Sequence, residues 1–74
     1  MKARGVVLFH TTTSAVRAEK ALLGAGMEVR LVPTPRRFSS DCGVALRFPW
    51  EEEGAVRERL GKAGIEVEGI RPLD

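Results

Sequence analysis

The sequence predicts one α+β domain, residues 1–74, built from two copies of a β-α-β unit. Sliding the chain so that residue 42 falls on residue 4 aligns 43–46 with 5–8, and both segments begin with glycine and continue with apolar residues. The same shift aligns residues 63–67 with 25–29, where Ala-Gly-Ile-Glu-Val meets Ala-Gly-Met-Glu-Val. A chain of 74 residues has room for only one small core. Both copies must therefore share it.

Each copy begins with a strand and continues with a helix. Residues 6–9 and 44–48 are rich in β-branched and aromatic residues, which is typical of strands. Apolar residues then recur every three or four positions, which is the spacing of an amphipathic helix. They are Ala15, Ala18, Leu22 and Ala25 in the first copy and Val56, Leu60 and Ala63 in the second.

A glycine ends each predicted helix, and a second strand is expected after it. Gly26 and Gly64 follow the last periodic residues, where a helix commonly ends in a left-handed residue. Residues 27–31 and 65–68 then alternate between apolar and charged residues. This period of two predicts strands with one buried and one wet face.

Two consecutive β-α-β units predict the ferredoxin-like βαββαβ fold. Its crossovers are right-handed, and its sheet has four antiparallel strands in the order 4-1-3-2 with both helices on one face. In this topology the end of the first strand, at His10, lies beside the start of the third strand, at Cys42. The amino end of the first helix reaches the same edge.

Composition limits the classes of function. With 43% hydrophobic and 30% charged residues the chain has the composition of an ordinary globular domain, and its net charge of +2 is too small to attract nucleic acid by itself. No apolar run approaches the roughly 18 residues of a membrane span, and no signal peptide is evident, so we expect a cytoplasmic protein without membrane contacts. One cysteine and one histidine allow neither an internal disulfide nor a zinc site, and we expect no metal and no cofactor.

The long connection over residues 33–43 is the expected location of the functional site, because it exceeds what a hairpin requires. We predict Cys42 as the nucleophilic thiol. The residues predicted to bind an anion or substrate around it are Arg36, Ser39, Ser40, Gly43, Thr12, Thr13 and His10. A helix amino end, guanidinium groups and hydroxyls suit an anion, and such surroundings favour the thiolate of a nearby cysteine.

Each of these residues also has a purely structural explanation. A lone cysteine is often a small buried hydrophobic residue. His10 can simply end a strand, and Thr13 or Ser14 is the expected cap of the first helix. Arg36 can be a solvated loop charge.

One long segment carries a family resemblance. After a strand ending at Phe9 come a hydroxyl-rich turn, the run AEKALL, and the segment PTPRRFSSDCG leading into ALRF. In these features the chain resembles the sulfur/selenium carrier-like small-domain family over nearly its whole length. The family motif matches at Pro35-Arg36, Ser39-Ser40 and Cys42-Gly43, whereas Phe38 stands where an aliphatic residue is more common.

The resemblance implies a carrier that holds sulfur or selenium as a persulfide or perselenide on Cys42. Its partners would be a donor protein and an acceptor protein. Such a domain needs no catalytic base of its own, so we do not expect a stand-alone enzyme. The element carried and the oligomeric state, monomer or homodimer, stay open.

Three alternatives remain at this stage. A non-catalytic binding module would hold a small anion or an acidic partner with the helix amino end and Arg36. RNA binding would use the open sheet face, where we expect Val7, Phe9, Ala45 and Arg47, too few aromatic residues for stacking. A redox sensor would form a mixed disulfide at the same cysteine.

Overall fold

Four strands form one sheet in the order β2-β3-β1-β4, and every neighbouring pair is antiparallel. The structure is a computed structural model and describes residues 3–38 and 42–73. In chain order its elements are β1 (Arg4–Leu8), α1 (Thr12–Gly24), β2 (Arg30–Pro33), β3 (Val44–Pro49), a short 3-10 helix (Trp50–Glu52), α2 (Glu53–Lys62) and β4 (Gly69–Pro72). Read from its other edge, the sheet has the predicted order 4-1-3-2, so the ferredoxin-like prediction is confirmed.

Both helices pack on the same face of the sheet. The core between them contains Ala15, Ala18, Leu22, Val56 and Leu60 from the helices and Val7, Phe9, Leu46, Phe48 and Ile70 from the sheet side. Fully burying one such Phe or Leu side chain contributes about 1.5–3 kcal/mol. Neither helix in the described part of the chain is long and apolar enough to cross a membrane.

Each helix ends in the same left-handed turn, as the internal repeat predicts. Gly26 has φ 81°, its N–H donates to the Leu23 carbonyl at 3.0 Å, and the Met27 N–H donates to the Leu22 carbonyl at 3.0 Å. This pair of hydrogen bonds defines a Schellman motif, in which the residue after the glycine packs back on the helix. The helix α2 ends in the same way, with Gly64 at φ 68°.

The second strand was predicted too early, overlapping the observed strand only at residues 30–31, and the position predicted for the fourth strand was wrong. The structure has β2 at Arg30–Pro33 instead of 27–31, and β4 at Gly69–Pro72 instead of 65–68. The physical reason is the Schellman motif, because it directs the first apolar residue after each helix into the core before the chain reaches a neighbouring strand. The alternating pattern in these segments thus reflects packing on the core. The hydrogen-bonded ladder begins further along the chain.

The sheet face without helices has its own small apolar cluster. Val6, Leu8 and Ala45 are fully or almost fully buried there. Phe38 from the loop after β2 and Leu73 from the end of the chain pack against them. The loop that precedes Cys42 therefore covers part of the face that the fold leaves without helices.

The residues expected on this open face were only half correct. Side chains alternate along a strand, and in β1 the even-numbered residues turn away from the helices. Val7 and Phe9 therefore belong to the helix-side core, contrary to the prediction. Ala45 lies on the open face, and Arg47, two residues further along β3, shares that face.

Candidate functional site

Cys42 lies against the amino end of α1. Its Sγ is 3.6 Å from Oγ1 of Thr12, the first residue of the helix, and either atom can donate the hydrogen. The strand topology explains this proximity. Leu8 pairs with Ala45, so the residues that follow β1 run beside those that precede β3. The helix start and the thiol therefore share one edge of the sheet.

The cap of α1 is Thr11, so the prediction of Thr13 or Ser14 was wrong. Thr11 has an extended backbone, with φ −138° and ψ 153°, and its hydroxyl oxygen accepts the Ser14 N–H at 3.2 Å. A run of four hydroxyl residues offers several possible caps, and the extended backbone selects Thr11. The first turn of α1 is fully described and has no acidic residue. Its positive end therefore keeps its attraction for an anion.

The Cys42 side chain is only 4% exposed and belongs to the helix-side core. It forms no disulfide. The sequence left its exposure undecided. Because the thiol is covered, a reagent or partner reaches the sulfur only if the surrounding residues move aside.

Thr34 holds the two ends of the loop together, a role that sequence reasoning missed. Its hydroxyl donates to the Cys42 carbonyl at 2.9 Å, and its backbone N–H donates to the Gly43 carbonyl at 3.0 Å. Both bonds continue the pairing of Pro33 with Val44 at the end of the β2-β3 ladder. A hydroxyl residue between two prolines was the available signal, but it becomes informative only once the strand register is known.

His10 is directed toward the fourth strand. Its Nδ1 lies 3.9 Å from Oε1 of Glu68, with His10 45% exposed. The Glu68 N–H also donates to the Leu8 carbonyl at 2.7 Å. This exposed pair contributes at most about 1 kcal/mol when the imidazole is protonated.

The two loop arginines have different positions. Arg36 is exposed in a turn closed by the Phe38 N–H donating to the Pro35 carbonyl at 3.0 Å, and it forms no ion pair within residues 3–38 and 42–73. Arg37 donates to the Leu73 carbonyl, and its guanidinium carbon lies 4.9 Å from the centre of the Phe38 ring. Arg37 therefore belongs to the cover of the open face.

The structure thus brings the predicted binding residue Thr12 into contact with Cys42. Thr13 is exposed on the next position of the helix, and Gly43 is exposed with nothing within 4 Å of where a Cβ would stand. Ser39 and Ser40 lie outside the described residues. Within the described ranges, no three His, Cys, Asp or Glu side chains come together in a way that could hold a metal ion.

These features define a small ferredoxin-like α+β domain with a buried thiol at the amino end of its first helix. Comparison with protein families gives a match over residues 4–72 to the family described as putative Se/S carrier protein-like. The chain belongs to this family, as its motif predicted. Comparisons with curated proteins and with solved structures returned no significant match.

Proposed function

We propose that this protein carries sulfur or selenium as a persulfide or perselenide on Cys42. The observation that supports it most is the 3.6 Å contact between the Cys42 sulfur and the Thr12 hydroxyl at the amino end of α1. A helix amino end stabilises negative charge, and both the attacking thiolate and the persulfide product are anions. Membership of the carrier family supports the same function.

The proposed transfer balances without an external oxidant. The Cys42 thiolate attacks the terminal sulfur of a cysteine persulfide on a donor protein. The donor's S–S bond breaks, its electron pair leaves with the inner sulfur as a thiolate, and a new S–S bond forms on Cys42. The outgoing step is the same reaction, with the acceptor's thiolate attacking the terminal sulfur. For selenium, the transferred atom is the terminal selenium of an S–Se bond.

Arg36 is proposed to pair with the charged chalcogen while it is carried. Its guanidinium group is exposed and has no ion-pair partner in the described ranges, so it is available to an anion. Gly43, Ser39, Ser40, Thr13 and His10 remain predicted contributors to the same site. A thiol that alternates with a persulfide requires a reducing compartment, which agrees with the cytoplasmic location expected from the sequence.

Incubation of the protein with inorganic polysulfide, followed by intact mass measurement, tests the proposal. We expect a mass gain of one sulfur atom that is absent in Cys42→Ser and is removed by a small thiol. Arg36→Ala should load more slowly, whereas Arg17→Ala, which removes an exposed arginine from α1, should load normally. If Cys42 is alkylated in the folded protein but accepts neither sulfur nor selenium from any donor, the carrier function is excluded.

The burial of Cys42 favours a second candidate, a non-catalytic binding module. In this candidate function the Cys42 thiol, which is 4% exposed, is a packing residue of the core. The helix amino end and Arg36 hold a small anion or an acidic partner. In that case Cys42→Ser retains ligand binding and Arg36→Ala loses it. The carrier function requires instead that Cys42→Ser abolish transfer.

A further inference from the structure

Four arginines occupy the sheet face that carries no helix. Arg30 pairs with Arg47, Arg47 pairs with Val6, and Val6 pairs with Arg71, so these residues form one row across the sheet. Arg4 lies two residues before Val6 on the same face. We call Arg4, Arg30, Arg47 and Arg71 the arginine face.

The arginine face carries positive charge that the described residues do not neutralise. Ion pairs within residues 3–38 and 42–73 join His10 to Glu68, Arg57 to Glu53 and Lys62 to Glu58, and none involves the arginine face. Arg30 and Arg47 are direct cross-strand partners. The Cα atoms of such partners lie about 5 Å apart, and like charges in these positions repel each other. An anionic partner would relieve this repulsion.

An open cavity of about 450 Å³ adjoins the arginine face. It lies where the chain after α1 runs beside β3 before the β2 ladder begins, and apolar residues including Leu23, Met27 and Val29 line it. Leu23 is a large apolar residue on the surface of the described part of the chain, 51% exposed. Such a cavity is large enough to accept an apolar side chain.

Charge at the mouth of the cavity is predominantly positive. Arg4, Arg30 and Arg47 line it together with one acidic residue, Glu28, so three positive charges meet one negative charge. Arginine forms bidentate hydrogen bonds with carboxylates, which suits it to acidic side chains.

We propose that this surface docks an acidic segment of a partner protein, with one apolar side chain of the segment in the cavity and its carboxylates on the arginine face. The proposal rests on the carrier function in one respect, because the partner would be a sulfur or selenium donor or acceptor. An interface of about 800 Å² per partner is roughly 30 Å across, and the molecule measures 31 × 28 × 15 Å. A docked partner of this size therefore covers most of one face of the molecule.

The aromatic residues argue for a protein rather than a nucleic acid. Single-stranded nucleic acids bind sheet faces by stacking bases on exposed aromatic rings. Phe9 and Phe48 are buried on the helix side, and the Trp50 ring stacks on Phe48 at 5.9 Å. Phe38 is half-buried beneath Arg37. Phe48 lines the cavity beside Arg4, Arg30 and Arg47 but is only 1% exposed, so it offers no open ring on which a base could stack.

Fluorescence anisotropy at about 50 mM NaCl tests the proposal. The labelled peptide has about ten residues, with glutamates on both sides of one leucine. We expect Arg30→Gln with Arg47→Gln to weaken binding roughly tenfold. The matched control is the double variant Arg17→Gln with Arg59→Gln, which makes the same change in net charge at exposed helix residues. Its affinity for the peptide should stay within about twofold of the wild type. A peptide with serine in place of leucine should bind more weakly.

Other outcomes overturn the proposal. Absence of peptide binding, or an equal loss in the control, removes the docking site. Tighter binding of an oligouridylate that depends on Arg30 and Arg47 assigns the surface to nucleic acid. A dimer in sedimentation that the same pair of substitutions dissociates assigns it to a second copy of the chain. Cys42→Ser should still bind the peptide, and the arginine variant should still accept sulfur from polysulfide, so failure of carriage and failure of docking are distinguishable.

Discussion

The Thr12 hydroxyl and the Cys42 thiol lie 3.6 Å apart although 30 residues separate them in the chain. The contact joins the helix of the first β-α-β unit to the start of the second unit. In this position the hydroxyl can donate to the thiolate, and the helix end adds its favourable dipole.

Substitution of Thr12 by valine should slow the reaction of Cys42 with iodoacetamide. Valine keeps the shape but removes the hydroxyl, so the thiolate loses a hydrogen bond worth about 0.5–1.5 kcal/mol, or roughly two- to twelvefold in rate. Thr12→Ser should restore the rate. Thr13→Val removes an exposed hydroxyl one residue further and should have little effect. Equal slowing by Thr12→Val and Thr13→Val would contradict a specific role for the Thr12 contact.

Thr34→Val should have the opposite effect on the same reaction. The hydroxyl of Thr34 fastens the Cys42 carbonyl, and its loss should cost about 1 kcal/mol of unfolding free energy. Because local opening then costs less, alkylation of the buried thiol in the folded protein should be up to roughly fivefold faster. Urea unfolding and alkylation rates measure the two effects, with Thr34→Ser as the control that keeps the donor. Slower alkylation in Thr34→Val would show that the loop ends do not limit access.

Alanine substitutions at two glycines near the end of α1 should have opposite effects on the stability of the protein. Gly24 is the last helical residue, and a Cβ there meets nothing within 4 Å, so Gly24→Ala should stabilise the protein by about 0.5–1 kcal/mol. Gly26 is equally uncrowded but has φ 81°, so Gly26→Ala should destabilise it by about 1 kcal/mol. Denaturant unfolding measures both. Since neither new methyl group is crowded, effects of the same sign would contradict the left-handed turn as the cause.

The sequence predicted the fold because both halves repeat the same order of strand, helix and terminal glycine. It misplaced β2 and β4 because an alternating pattern describes equally well a segment that packs on the core without a ladder. It misassigned the cap because a run of hydroxyl residues at positions 11–14 offers several equivalent choices. For the strands the missing information was the register of long-range pairing, and for the cap it was the backbone conformation of Thr11.

The candidate site was predictable to a similar extent. Strand order alone brings Cys42 to the helix start, and the structure has Thr12 in contact with it. The burial of Cys42 and the role of Thr34 depend on how the loop closes, which periodicity does not encode. The direction of Arg37, toward Leu73, likewise follows from the packing of Phe38. The arginine face became visible only with the strand register.

Phe38 links the loop to the open sheet face, and its substitution separates two consequences of that contact. Phe38 packs on Val6, Leu8 and Ala45 and is half-buried. Phe38→Ala should therefore cost about 1–2 kcal/mol, less than a fully buried phenylalanine, whereas Phe38→Leu should cost less than about 1 kcal/mol. Denaturant unfolding of both variants measures these costs.

The same variants test whether packing of Phe38 also controls access to the thiol. Phe38 and Cys42 belong to one loop, whose ends Thr34 holds together. If the loop opens as one unit, Phe38→Ala should speed the alkylation of Cys42 in parallel with its loss of stability, and Phe38→Leu should leave both nearly unchanged. If stability falls while the alkylation rate stays constant, Phe38 serves only to cover the sheet, and access to Cys42 is controlled by the residues around Thr12 and Thr34.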